Sequence, residues 1–91
     1  MITAIVLVEA ERDVFATLGA VLADIDGVAE AYSVTGEWDF VAIVRVPRHE
    51  LLSEVVSGTI GLLPGVVGTQ TMVAFESYST YDLDALFGPA A

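Results

Sequence analysis

Cysteine and lysine are both absent from this chain of 91 residues, and histidine occurs once. The first absence excludes a disulfide framework and any thiolate metal site, and it agrees with a reducing compartment. The second leaves three arginines facing thirteen acidic residues, a net charge of -10. Nucleic-acid affinity rests on Lys and Arg neutralising phosphates, so direct binding to DNA, RNA or an anionic membrane is not expected. No apolar run reaches the ~20 residues a spanning helix needs. The opening stretch MITAIVLVEAERD carries neither a basic leader nor a small-residue cleavage site, and a cytoplasmic protein is the expectation. Catalytic groups are scarce as well. His49 lies in PRHE, where an exposed first helical turn is expected, and no second His or Cys could complete a zinc site with it. Ser33, Ser53, Ser57, Ser77 and Ser79 belong to no nucleophile elbow, and the glycines form no phosphate-binding loop. Neither an enzyme nor a metal or other cofactor is expected.

Apolar residues, by contrast, are abundant: 55% are hydrophobic and only 18% charged. A short single domain buries a smaller share of its surface than a long one, so this excess calls for a partner surface. Six segments emerge from period and punctuation. Residues 2–9, ITAIVLVE, are β-rich and nearly continuously apolar, which suits a strand covered on both faces. Residues 13–25 carry a helical stripe of Val14, Phe15, Leu18, Val21, Leu22 and Ile25, with Asp13 as the expected N-cap. After the break at Asp26-Gly27, residues 28–35 and 39–46 suit two further strands joined by Thr-Gly-Glu-Trp-Asp. Pro47 opens a second helix through about residue 62, with the stripe Leu52, Val55, Val56, Ile60 and Leu63. Pro64-Gly65 signals a turn into a fourth strand over 66–76.

The order is βαββαβ, and a faint repeat supports it: shifted by 38 residues, IVLV at 5–8 falls on IVRV at 43–46, and Gly27-Val28 on Gly65-Val66. Two βαβ halves with right-handed crossovers give an α+β, ferredoxin-like antiparallel sheet with two helices on one face. The uncovered face of such a sheet should be polar in a monomer. Here Ile5, Val6, Leu7 and Val8, and again Val41, Ala42, Ile43 and Val44, put apolar groups on both sides. Leaving even ~600 Å² of apolar surface wet would forgo on the order of 15 kcal/mol, more than a typical small domain's stability. A second copy packed sheet to sheet, a dimeric α/β barrel with two-fold symmetry, is the simplest cover. Arg45, the only charge in its strand, is expected to pair with an acid such as Glu9 or Glu76. For the tail from 78 to 91 two readings stand: a short helical turn over 81–87 capped by Thr80, or an arm packed on a neighbour.

Two places could hold a ligand. In Thr35 to Asp39, Gly36 allows a tight connection and Asp39 can accept backbone amides, so a plain hairpin turn is one reading. The other is a binding loop: Glu37 and Asp39 offer carboxylates to an ammonium group, Trp38 an apolar or cation–π wall, and backbone amides near Gly36 a seat for a carboxylate. The second place is the fourth strand, where Thr69 and Thr71 share a face, though ordinary β-branched strand residues account for them equally.

IDGVAEAYSVTGEWDFVAIVRV, followed after a helix by LPGVVGTQTMVAFE, resembles the effector-binding or RAM domain of the Lrp/AsnC family of transcriptional regulators. The resemblance rests on Gly27-Val28, Val34 to Asp39 and Thr69-Gln70-Thr71, and covers residues 1–77, leaving 78–91 as the arm. It implies sheet-to-sheet homodimers assembled into rings of dimers. It also implies a small molecule, commonly an amino acid, bound between dimers at Gly36 to Asp39. Gly36 would give backbone contacts, Asp39 would face the amino group, and Thr69 and Thr71 would fix the carboxylate end, while Glu37 and Trp38 flank them. Trp38 stands where the family often has a smaller aromatic. Full-length members begin with a helix-turn-helix DNA-binding domain, whereas this sequence opens on the first strand, so the expectation is a stand-alone effector domain that modulates full-length Lrp/AsnC regulators. Two other small-domain types remain as alternatives: a dimeric α/β-barrel enzyme of the antibiotic-biosynthesis-monooxygenase type, and an ACT-like amino-acid sensor.

Overall fold

The structure, a computed structural model, describes residues 1–78 and residue 80. Strand β1 (Ile2–Ala10) leads into helix α1 (Phe15–Ala23), strands β2 (Val28–Ser33) and β3 (Phe40–Val46), helix α2 (His49–Val56) and strand β4 (Val66–Val73). The four strands form one antiparallel sheet in the order β2-β3-β1-β4. This is the expected βαββαβ, ferredoxin-like fold, with the two most apolar strands at its centre. Among the described residues no helix is long and apolar enough to cross a membrane. The readings for 81–87 lie outside the described residues.

Both helices are shorter than their apolar stripes. Asp13 caps nothing: it lies inside a tight 3-10 turn, Arg12–Val14, whose flanking residues make no side-chain capping bond. The chain is pinned just before that turn, where the Glu11 N–H donates to Gly65 O at 2.7 Å. Helix α2 stops at Val56, and the chain re-forms as a 3-10 turn at Ile60–Leu62. Between them Gly58 weakens the helix, and the Thr59 hydroxyl donates to Glu54 O at 3.2 Å, taking up a carbonyl of the last turn.

The core lies between the helices and one face of the sheet. Ala4, Val6 and Val8 of β1 and Phe40, Ala42, Val44 and Val46 of β3 are buried there under Leu18, Leu22, Leu52, Val55 and Ile60. Phe15 stands edge-on to Phe40, ring centroids 5.6 Å apart, yet it and Val21 remain over 40% exposed, so Leu18 and Leu22 are the true centre of the α1 stripe.

Among the described residues no helix covers the opposite face. Cross-strand register sets its rows: Tyr32, Val41, Leu7 and Gln70 form one, and Glu30, Ile43, Ile5 and Met72 the next. Its middle is therefore aliphatic, as the two-sided apolar strands implied. Arg45 departs from expectation. Its cross-strand partner is Thr3, about 20 Å along β1 from Glu9, while the Glu76 carboxylate accepts the Tyr78 hydroxyl. Among the described residues the salt bridge seen is Arg48 to Glu50, 3.6 Å and exposed.

Candidate functional site at the β2–β3 connection

The connection between β2 and β3 is closed at its base by the Val34 N–H, which donates to Asp39 O at 2.9 Å. Gly36 at its tip has φ +109°, and a Cβ there would meet nothing within 4 Å. The tip is thus glycine for its backbone and open above it. Asp39 ties this connection to the neighbouring strand. Its N–H donates to Val8 O at 3.0 Å, and its Oδ2 accepts the Ala10 N–H at 2.9 Å. The second bond has a local cause. The ladder between β1 and β3 ends with Val8 opposite Phe40, so the Ala10 amide, which faces the same side as Val8, lies beyond the Phe40 end of β3 and takes a side-chain acceptor instead.

Beside the connection lies an open cleft of about 300 Å³ lined by Glu9, Glu37 and Trp38. Glu37 is exposed, and Trp38 and Asp39 are half-buried. Two carboxylates and an indole suit a ligand carrying an ammonium group, through charge and cation–π contact. Amides of an exposed glycine-containing turn can receive a carboxylate.

The structure gathers the anticipated residues in two groups. Gly36, Glu37, Trp38 and Asp39 lie together at the connection. Thr69 and Thr71 do share a face, but they pair with Val8 and Val6, which places them on the helix side of the sheet. Both are exposed, on an edge strand. Within one chain, then, the threonines are not among the residues lining the cleft. Glu9 is the lining residue that sequence reasoning passed over. Its place depends on the register of β1 with β3, which ends with Val8 opposite Phe40; the available signal was the period of two that sets Glu9 on the same side as Ile5 and Leu7. A larger groove of about 420 Å³ at the other end of the sheet, lined by Asp26, Arg45, Leu51 and Glu54 among others, holds none of the anticipated residues.

Comparison with known proteins agrees with this fold. The family described as the Lrp/AsnC ligand binding domain matches residues 3–83. The HTH-type transcriptional regulator FL11 of Pyrococcus abyssi is 29% identical over 75 residues, covering 82% of this chain and 49% of the regulator. The chain thus spans about half the length of the curated relatives it matches. Among solved structures, TTHA0845 from Thermus thermophilus is 44% identical with a TM-score of 0.81, covering 87% of this chain and 99% of that one. The transcriptional regulator NMB0573 from Neisseria meningitidis, solved as a complex with L-Met, shares the fold at 19% identity and a TM-score of 0.76, over 87% of this chain and 54% of that one. By family match and by fold, this chain belongs to the Lrp/AsnC ligand-binding domains of transcription regulators.

Proposed function

We propose that this chain is an effector-binding and oligomer-forming module of a cytoplasmic regulatory system. It takes an amino acid at the Gly36 to Asp39 connection and acts on full-length Lrp/AsnC regulators rather than on DNA. The observation that carries this reading is the cleft of about 300 Å³ beside the connection, lined by Glu9, Glu37 and Trp38, in a chain of a ligand-binding family. The ligand's ammonium group is met by Glu37 and by the Oδ1 oxygen of Asp39, Oδ2 being engaged by Ala10. Its side chain lies along Trp38, and its carboxylate takes backbone amides near Gly36. The regulator NMB0573 in complex with L-Met supports the ligand class by analogy.

Thr69 and Thr71 enter this site from a neighbour. They are exposed at the sheet edge, apart from their own chain's cleft, and a ring of dimers brings one chain's β4 to another chain's connection. A sequence with thirteen acids and three arginines favours action through protein contacts over phosphate binding. The relatives are regulators, which favours this reading over a monooxygenase.

A thermal-shift screen of the twenty amino acids tests it. At ten times Kd a ligand adds about 1.4 kcal/mol of stability, a rise of several degrees for a domain of this size. The rise should vanish in Trp38→Ala and shrink in Asp39→Asn. An amino acid that raises the melting temperature of all three proteins equally would remove the connection from the site, and no response to any of the twenty would count against amino acids as the ligand class.

A further inference from the structure

Tyr32, Glu30 and Arg45 form a polar group at one margin of the apolar open face of the sheet. On β2, Tyr32 donates its hydroxyl to Glu30 Oε2 at 2.6 Å. Tyr32 and Glu30 stand opposite Val41 and Ile43, so both belong to the open side. Arg45, two residues beyond Ile43 on β3, shares that side by the period of two. The three are electrostatically linked. The hydrogen bond to Glu30 pushes the Tyr32 hydroxyl above its ordinary range, with desolvation adding to it, while the positive charge of Arg45 works in the opposite direction. Yet among the described residues Arg45 is in no salt bridge; the one seen joins Arg48 and Glu50.

Glu30 and Arg45 are exposed in a single chain. Under a second apolar sheet they lose water, and a desolvated charge is costly unless an opposite charge meets it. An isologous pair offers that solution, because residue i meets j and j meets i. One strand across and two residues along separate Glu30 from Arg45 by about 8 Å. A two-fold axis lying between the sheets, perpendicular to that separation and midway along it, crosses β1 close to Ile5, in the middle of the aliphatic patch. The same operation therefore stacks the apolar centres and exchanges the two charges.

The geometry points to a reciprocal charge lock on this face: Glu30 of each copy, oriented by its own Tyr32, meets Arg45 of the second copy, so that the sheet selects another copy of this chain. This rests on the reading that a second copy covers the open face. The lock supplies selectivity where aliphatic contacts alone would accept any similar sheet.

A charge swap followed by native mass spectrometry across a dilution series tests it. Glu30→Arg and Arg45→Glu should each raise the dissociation constant of the pair at least ten-fold. An equimolar mixture should recover tight pairing as heterodimers, and the double variant Glu30→Arg/Arg45→Glu should pair with itself. Recovery also shows that both single variants fold. Glu54→Arg, an equal change in net charge on exposed α2, should pair as the wild type does. The lock is overturned if either single variant pairs like the wild type, or if neither the mixture nor the double variant recovers. Ile43→Asp separates the two readings. If it breaks the pair while the charge variants do not, the sheet interface stands without the lock; if it too pairs like the wild type, the covered face itself is wrong and the lock falls with it.

Discussion

One oxygen of the Asp39 carboxylate holds the β2–β3 connection against β1 by accepting the Ala10 N–H, and the proposed ligand needs the other. The two roles can be separated because asparagine keeps an acceptor oxygen and loses the charge. Asp39→Ala leaves the half-buried Ala10 amide without its partner and should cost about 2 kcal/mol, read as a lower urea midpoint. Asp39→Asn should keep most of that stability while weakening the ligand. Equal losses of stability in both variants would mean that charge, and not the hydrogen bond, secures the connection. At this scale the sequence was informative: Thr-Gly-Glu-Trp-Asp allowed both a turn with a satisfied aspartate and a place for a ligand. The share of Glu9 in the cleft was hidden, because it follows from strand register and from an irregularity after Glu9 that no local motif announces.

At the scale of elements, the glycines at turns do unequal work. Gly36 and Gly65 both have positive φ, +109° and +89°, but their surroundings differ. A Cβ on Gly36 points into open space, whereas one on Gly65 would lie 2.5 Å from Val14 Cγ1 and 2.6 Å from Val14 Cγ2. Gly36→Ala should therefore cost only backbone strain, about 1–2 kcal/mol. Gly65→Ala adds a steric overlap that must displace Val14, and should cost at least about 1 kcal/mol more; equal urea midpoints would contradict the packing of Val14 beneath this turn. Element type and order were legible because short β-branched apolar runs and stripes of period 3.6 follow one another, divided by Asp26-Gly27, Pro47 and Pro64-Gly65. Element ends were not. Phe15 and Val21 continue the apolar stripe of α1 without reaching the core, and Ile60 continues that of α2 although the helix has already ended. The apolar stripe therefore marks neither burial nor helix length reliably: in α1 it includes exposed residues, and in α2 it runs past Gly58 and the Thr59 hydroxyl that takes up Glu54 O.

For the molecule as a whole, the deciding feature is a sheet with a helix layer on one side and Ile5, Leu7, Val41 and Ile43 on the other. The aliphatic side was readable from sequence, since alternation fails in both central strands, and so was the need for a cover. The polar groups at its margin were not readable as a set. Arg45 lies 13 residues beyond Tyr32, and only the antiparallel register of β2 with β3 joins it to Glu30 and Tyr32. Assembly is the premise of the proposed function, in which Thr69 and Thr71 reach the ligand from a neighbouring chain. Sedimentation velocity of the wild-type protein over a dilution series tests that premise most directly. An assembly with an even number of chains that persists to low micromolar concentration is the predicted result. A monomer throughout, with the aliphatic face in water, would contradict it.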